Sequence, residues 1–307
     1  MKVQTVDMEL MLHGGKDSQQ KFAQDLGRAF RDIGFAAISG HGFNAFDRGI
    51  IHQAVKTYFA KSTEEKMQHL VPGGHGQRGY TAFGVEHAKG DPSPDQKEFF
   101  QWGPMDSEAR GLKPNVAIDP ATDEAVAMTF HKLERLGNIL MEAIAMDLEL
   151  PRDYFAKYLA HGESILRAIH YPPQPEAPKD GIRAGAHEDI NLITLLMGAS
   201  AAGLELLDAN GAWHSIHVED DTILINVGDM LQRFTNGELV ATKHRVVNPS
   251  EEAKLTPRFS IPFFLHPTGD MPLNALPKFI SEDRPKRFKD MTAGEYLRER
   301  LEEIGLM

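Results

Sequence analysis

Apolar residues recur at helical spacing in three segments of the first half of the chain. A first helix, with Asp17 or Ser18 as its predicted N-cap, carries Phe22, Leu26, Ala29, Phe30 and Ile33. A second is predicted after Asn44, and its apolar side is expected to hold Phe46, Ile50, Ile51, Val55 and Phe59. A third extends from about Thr122 to Leu148, with Val126, Phe130, Leu133, Leu140 and Ile144 on one face. Such stripes are typical of helices that pack on a core.

The second half has a different pattern, in which short apolar runs are bounded by Gly, Asn, Asp or Pro. Strands are predicted at 165–171, 190–197, 204–207, 213–218, 222–227, 242–247 and 259–265, and one earlier strand at 35–39. A closing helix begins with the Thr292 and Glu295 capping box, and its apolar stripe is Tyr296, Leu297, Leu301 and Ile304. The pattern predicts an α+β fold, in which helices flank a jelly-roll barrel. We expect a mainly helical region over 1–160 and the barrel with its closing helix over 161–307, together forming one catalytic unit.

Composition narrows the class of protein. A chain of 307 residues with 41% hydrophobic content can bury a full core. There are no cysteines, which excludes disulfides, thiolate metal ligands and a cysteine nucleophile. The net charge of −11 argues against non-specific nucleic-acid binding, which needs a basic surface. The sequence predicts no secretory signal and no membrane span, so we expect a cytoplasmic protein.

Three residues form a candidate metal site. His187 and Asp189 are two positions apart, and side chains at that spacing in extended chain lie on the same face. His244 lies in a later predicted strand, which a barrel can bring beside the first. Two imidazoles and one carboxylate on one face of an ion leave positions open for a cosubstrate and dioxygen. This is the arrangement of mononuclear non-haem Fe(II) oxygenases.

Arg258 and Ser260 are a candidate anion site. They are again two positions apart in a predicted strand and should lie on the same face. The arginine offers a planar fork for a carboxylate, and the serine adds a hydroxyl donor. An arginine that points into a barrel is costly unless it meets an anion. The alternative is an arginine on the outer face of the barrel, paired with a carboxylate of the protein.

Several stretches resemble the isopenicillin N synthase-like group of 2-oxoglutarate/Fe(II)-dependent dioxygenases, and they occur in the same order along the chain as in that group. In the second half these stretches are Leu166–Pro172, His187–Leu196, Asn226–Gly237, His244–Val247 and Arg258–Phe264. Elsewhere they are Gly34–Gly42, Gly79–Tyr80, Asp95–Glu98 and Thr292–Leu301. The resemblance covers nearly the whole chain. One departure is Ile169, since many plant members have an asparagine there near the cosubstrate.

The resemblance implies a site and a reaction. It implies iron on His187, Asp189 and His244, the far carboxylate of 2-oxoglutarate on Arg258 and Ser260, and Tyr171 as a further cosubstrate contact. The expected reaction is oxidation of a small molecule, by default hydroxylation, with release of succinate and CO2. Two alternatives stay open: an oxidase of the same fold that binds its substrate carboxylate at Arg258 and Ser260, and a non-catalytic metal-binding barrel. The prime substrate and the oligomeric state cannot be derived from the sequence. Four other histidines of the barrel half are interpreted as core or surface residues: His170, His214, His217 and His266.

Overall fold

A computed structural model describes residues 2–86, 95–176, 182–197, 202–216, 219, 221–248, 250–304 and 306. The helices in these ranges are α1 (Glu9–Leu12), α2 (Lys16–Asp32), α3 (Ala45–Phe59), α4 (Thr63–Met67), α5 (Pro120–Asp147), α6 (Ala156–Leu159), α7 (Asp229–Phe234) and α8 (Ala293–Glu303). The first six strands are β1 (Gln4–Asp7), β2 (Phe35–Ser39), β3 (Gly79–Thr81), β4 (Glu98–Trp102), β5 (Ile165–Tyr171) and β6 (Ile182–His187). The others are β7 (Ile193–Met197), β8 (Leu204–Leu207), β9 (Trp213–Ser215), β10 (Ile223–Val227), β11 (His244–Val247) and β12 (Arg258–Leu265).

The strands form two sheets. The larger has the order β1-β2-β10-β7-β12-β5-β4-β3, and the smaller has the order β6-β11-β8-β9. The β1–β2 pair is parallel, and the other described pairs are antiparallel. Two apolar clusters contain residues of both sheets, so the sheets face each other. This is the double-stranded β-helix, or jelly roll, flanked by helices, and the predicted fold class is confirmed.

Side-chain alternation along β12 separates the core from the barrel interior. Ile261, Phe263 and Leu265 belong to the main core, which the larger sheet shares with α2, α3 and α5. Arg258 and Ser260 alternate with them and so lie on the opposite face, toward the smaller sheet. The fold therefore places the polar residues of this strand inside the barrel.

Helix starts follow local capping chemistry, with one prediction overturned. The Asn44 side chain caps α3 by accepting a hydrogen bond from the Asp47 amide at 2.9 Å. The predicted capping box of Thr292 and Glu295 is present at α8. The predicted cap of α2 by Asp17 or Ser18 is wrong, because extended backbone at Gly15 starts the helix at Lys16. Asp17 then lies in the first turn, where its charge favours the helix dipole.

Other elements differ from the sequence pattern in their extent. Phe46 is 76% exposed, because the buried stripe of α3 passes through Ile51, Val55 and Phe59 on a different side of the helix. Strand β7 begins at Ile193 rather than at 190, and β11 begins at His244 rather than at 242. Strand β6, which carries His187, was not predicted. Of the strand predicted over 213–218, residues 213–215 form β9, and 217 and 218 lie outside the described residues.

In the described part of the chain, no helix is both long enough and apolar enough to cross a bilayer.

Candidate metal centre

Strand register brings the two predicted histidine ligands together. His187 ends β6, His244 begins β11, and the two residues are direct partners in the antiparallel pair. Their ring centroids are 4.4 Å apart. Oδ1 of Asp189 lies 3.9 Å from Nε2 of His187 and 3.7 Å from Nε2 of His244. One donor atom from each of the three residues therefore lies within 4.8 Å of the others, a spacing that suits one first-row ion between them.

Backbone carbonyls set the orientation of both imidazoles. Nδ1 of His187 is 2.7 Å from the Gly185 carbonyl oxygen, and Nδ1 of His244 is 3.1 Å from that of Thr242. A carbonyl oxygen can only accept, so each Nδ1 carries the proton and each Nε2 keeps its lone pair. Burial in the cavity wall and the neighbouring His244 ring lower the pKa of His187 to about 4, so its imidazole is neutral at pH 7. Neutral imidazoles are the form that binds metals.

Two donors fix the carboxylate of Asp189. Oδ2 accepts a hydrogen bond of 2.6 Å from the Thr194 hydroxyl and one of 2.7 Å from the Asn226 amide. The pKa of Asp189 is lowered: burial alone would raise it, but the two histidines and these hydrogen bonds outweigh burial. With Oδ2 held in this way, Oδ1 points at the two Nε2 atoms. The arrangement can hold one divalent ion through two nitrogens and one oxygen.

The predicted anion site lies on neighbouring strands of the larger sheet. Arg258 pairs in register with Tyr171, and Ser260 pairs with Ile169. Arg258 is 2% exposed, so it is not on the outer face of the barrel. Burial lowers the pKa of the Arg258 guanidinium, and a hydrogen bond with Tyr171 partly offsets that shift. Ile169 packs in the apolar cluster between the sheets with Phe99 and Tyr171.

A cavity of about 390 Å³ opens beside His187 and Asp189. Its walls come from β4, β5, β12 and one side of α8. Leu297, Leu301 and Ile304, which the sequence predicted as a helix stripe, line this cavity. The cavity is in the size range of small-molecule sites. Arg258, Ser260 and Tyr171 are not among the residues that line it.

A cluster of four charged side chains forms the polar wall of the cavity. Nζ of Lys97 lies 2.7 Å from Oε2 of Glu86 and 2.8 Å from Oδ2 of Asp95. Nη1 of Arg167 lies 3.2 Å from both carboxylate oxygens of Glu86. Burial would raise the pKa of Glu86, but Arg167 and Lys97 hold it at about 2. The other oxygen of Asp95, Oδ1, accepts a 2.8 Å hydrogen bond from the Gly185 amide on β6, which joins the cluster to the strand that carries His187.

Comparisons with known proteins identify the family. The profile of the 2OG-Fe(II) oxygenase superfamily matches residues 162–267, and that of the non-haem dioxygenase in morphine synthesis N-terminal family matches 3–120. The proline hydroxylase buaE of Petromyces alliaceus is 31% identical over an alignment of 321 positions, which covers 98% of this chain and 99% of that protein. The chain belongs to the 2-oxoglutarate/Fe(II) oxygenase superfamily.

Solved structures of oxygenases agree with this assignment. A 2OG-Fe(II) oxygenase family protein from Caulobacter crescentus is 39% identical, with a TM-score of 0.87 over 98% of this chain and 99% of that chain. A full-length Neurospora crassa protein, solved in complex with alpha-KG, is 27% identical, with a TM-score of 0.86 over 98% of this chain and 95% of that chain. The same Neurospora crassa protein has also been solved with alpha-KG and thymine. The predicted resemblance is confirmed: this is an Fe(II)- and 2-oxoglutarate-dependent dioxygenase, whose third reactant is dioxygen.

Several residues of this oxygenase site were not anticipated. From the sequence, His266 was interpreted as a core or surface residue, and Asn226 was given no role at the metal site. The structure places Asn226 against Asp189 and places His266, whose pKa burial lowers to about 4, in the cavity wall. The sequence did carry a signal for Asn226, because it is the polar residue in the otherwise apolar strand β10. His217 lies outside the described residues.

Proposed function

We propose that this dioxygenase oxidises a small molecule, with hydroxylation as the default outcome, at an iron held by His187, Asp189 and His244. The observation that carries the proposal is the convergence of the two unprotonated Nε2 atoms and Oδ1 of Asp189. That donor set fits Fe(II) and leaves one face of the ion open. Two of them, His187 and Asp189, line a cavity that a small molecule could enter.

The cosubstrate site is proposed at Arg258, Ser260 and Tyr171. A guanidinium that is 2% exposed, beside a hydroxyl that is 4% exposed, suits the far carboxylate of 2-oxoglutarate. The guanidinium carbon of Arg258 is 5.1 Å from the centre of the Tyr171 ring, so the tyrosine restricts its position.

When bound, Fe(II) with 2-oxoglutarate and dioxygen supplies the oxidising chemistry, in which the keto acid becomes succinate and CO2 while the substrate is oxidised. The chain's own residues position and shield the reactants. The carbonyls of Gly185 and Thr242 keep both Nδ1 protons in place. Thr194 and Asn226 hold Oδ2 of Asp189, so the carboxylate stays in one orientation. Helix α8 covers one side of the cavity and limits the access of water.

Known relatives support a small substrate. The buaE protein is named a proline hydroxylase, and the Neurospora crassa protein has been solved with thymine. The net charge of −11 disfavours polyanions such as nucleic acid. We further infer that residues 1–160 and 161–307 act as one catalytic unit, because β4 from the first region pairs with β5 from the second.

The proposal is tested by replacing Arg258. Charge-assisted hydrogen bonds are worth about 1.5–3 kcal/mol each, so Arg258→Ala should raise KM for 2-oxoglutarate roughly ten- to a few-hundred-fold. Iron binding should be nearly unchanged. Arg31→Ala, which removes an arginine paired with Asp147 and Glu238, is the control and should leave KM as in wild type. Succinate is measured by chromatography. Substrate oxidation that needs no 2-oxoglutarate and yields no succinate would instead identify an oxidase that binds its substrate carboxylate at Arg258.

A further inference from the structure

The polar wall of the cavity carries balanced charge. Lys97 and Arg167 contribute two positive charges, and Glu86 and Asp95 contribute two negative charges, all within ion pairs of 2.7–3.2 Å. All four are largely buried, so these pairs are weakly screened. A substrate carboxylate or phosphate bound at this wall would lie beside the buried carboxylates of Glu86 and Asp95, which repel it. This wall therefore favours a neutral substrate.

Arg167 and Glu86 both line the cavity and keep unused hydrogen-bonding capacity. Nε of Arg167 donates to Oε1 of Gln101 at 2.8 Å, and Nη1 donates to Glu86. Among the residues that the structure describes, Nη2 donates to none. Oε1 of Glu86 accepts from Arg167 Nη1 at 3.2 Å and has capacity for one more donor. A donor thus lies beside an acceptor in the same ion pair.

Apolar side chains line other parts of the cavity, alongside Glu188, Asp229, Lys243 and the Arg300–Glu303 ion pair. Phe264 lines it from β12, and Ile165 lines it from β5. Leu297 and Leu301 close it from α8. The Arg167 guanidinium lies against two aromatic rings, with its carbon 4.1 Å from the centre of Phe99 and 5.3 Å from that of Phe264. These contacts hold the guanidinium in place at the edge of an apolar space bounded by a ring.

We propose that the prime substrate is a small, neutral, planar molecule with a carbonyl beside a ring N–H, as in a cyclic amide or imide, bound by Arg167 and Glu86 next to Phe264. The carbonyl accepts from Nη2 of Arg167, and the N–H donates to Oε1 of Glu86. The protein offers a donor, Nη2 of Arg167, beside an acceptor, Oε1 of Glu86. The edge of a cyclic amide is complementary, because it presents an acceptor, the carbonyl, beside a donor, the ring N–H. Arg167 and Glu86 are thereby specificity-determining residues. This inference rests on the proposed function, because it names the substrate class of that same site.

The test uses three cyclic amides as probes: thymine, hydantoin and 2-pyridone. Binding to the anaerobic Fe(II)–2-oxoglutarate enzyme is measured by calorimetry, and succinate release in air is measured in parallel. At least one probe should bind and raise succinate release above the rate without substrate. Benzoate, a planar anion of similar size, should bind about tenfold or more weakly, and so should the N-methylated counterpart of the probe that binds, which lacks the N–H.

Variants of this chain supply the second arm. Arg167→Lys keeps the positive charge but loses Nη2, so affinity for the bound probe should fall about tenfold or more while KM for 2-oxoglutarate stays within about twofold. Arg31→Lys is the matched control, because Arg31 is also an arginine between two carboxylates but lies away from the cavity. It should bind the probe as wild type does.

The outcomes separate the two proposals. If succinate forms from 2-oxoglutarate but none of the three probes binds, or benzoate binds more tightly than all of them, the substrate class is wrong and the proposed function stands. Equal affinity for a probe and its N-methylated counterpart would also overturn the substrate class. If Arg167→Lys fails to fold, the comparison of the probes with benzoate and the N-methylated probe still tests the substrate class, because it uses the wild-type enzyme. If no succinate forms under any condition in the iron-loaded enzyme, the proposed function itself fails.

Discussion

The hydroxyl of Thr194 is expected to control metal affinity although it does not lie among the candidate ligand atoms. It donates to Oδ2 of Asp189 at 2.6 Å, and Thr194 is 3% exposed. Thr194→Val keeps the shape of the side chain and removes that donor. The carboxylate then keeps one hydrogen bond, from Asn226 at 2.7 Å, and gains freedom to rotate Oδ1 away from the histidines.

The size of the effect follows from that bond. A hydrogen bond to a charged group is worth about 1.5–3 kcal/mol, and loss of a group that orients a ligand typically costs 10–100-fold in metal affinity. We therefore expect Thr194→Val to weaken metal binding by about 10–100-fold. The assay is a competitive titration of the apoprotein with Mn(II) or Fe(II) under anaerobic conditions, which needs no knowledge of the substrate.

Two controls isolate the hydroxyl. Thr194→Ser retains a donor and should bind metal nearly as wild type does. Thr129→Val removes another buried threonine hydroxyl, on α5, which has no hydrogen-bond partner among the residues described. That change should leave metal affinity unchanged. Metal affinity of Thr194→Val within about twofold of wild type would refute the role given to Thr194.

Three other predictions follow from the same structure. His244→Ala should abolish binding of the single expected metal ion and all turnover, and metal analysis that still finds one ion per chain would contradict the assignment. Burial would raise the pKa of Glu98, but hydrogen bonds from three neighbouring side chains hold it at about 2. The ionised Glu98 carboxylate therefore stabilises the fold fully above its ordinary pKa of 4.5, and this stabilisation is lost as the pH falls toward 2. Glu98→Gln should lower the free energy of unfolding in urea more at pH 7 than at pH 3. Equal decreases at the two pH values would contradict this. Tyr296→Phe removes the hydroxyl that α8 donates to Asp229 and should speed amide exchange in α8, whereas unchanged exchange would show that this bond does not hold the helix.

Helices and strands whose apolar residues recur at regular spacing could be predicted from the sequence. Strands β2, β5 and β8 have the predicted bounds, and α5 begins within two residues of its predicted start. Their apolar residues repeat regularly because one face packs on the core. Strand β6 escaped prediction because its sequence, Ile182 to His187, has one exposed apolar residue and several small or polar ones. Its position is set by pairing with β11, which is a long-range contact.

Some residues of the candidate site could likewise be predicted from the sequence, and others could not. The three candidate ligands and Arg258 could be found because their spacing carries chemistry, and the structure brings the two histidines into register. The cluster of Glu86, Asp95, Lys97 and Arg167 was not predicted, because its members come from separate segments and meet through ion pairs and the β4–β5 pairing. No local pattern marks residues that meet through tertiary structure.

The order of strands in the larger sheet has a consequence for dissecting the protein. Strands β2 and β4, both from the first half, cover the free edges of β10 and β5, which belong to the second half. A fragment limited to the profile-matched second half would expose both edges as unpaired backbone donors and acceptors. Open edges of this kind recruit other strands, so such a fragment should self-associate rather than act as a miniature oxygenase. New substrate pockets in this scaffold are therefore better sought by exchanging α8 than by trimming the chain.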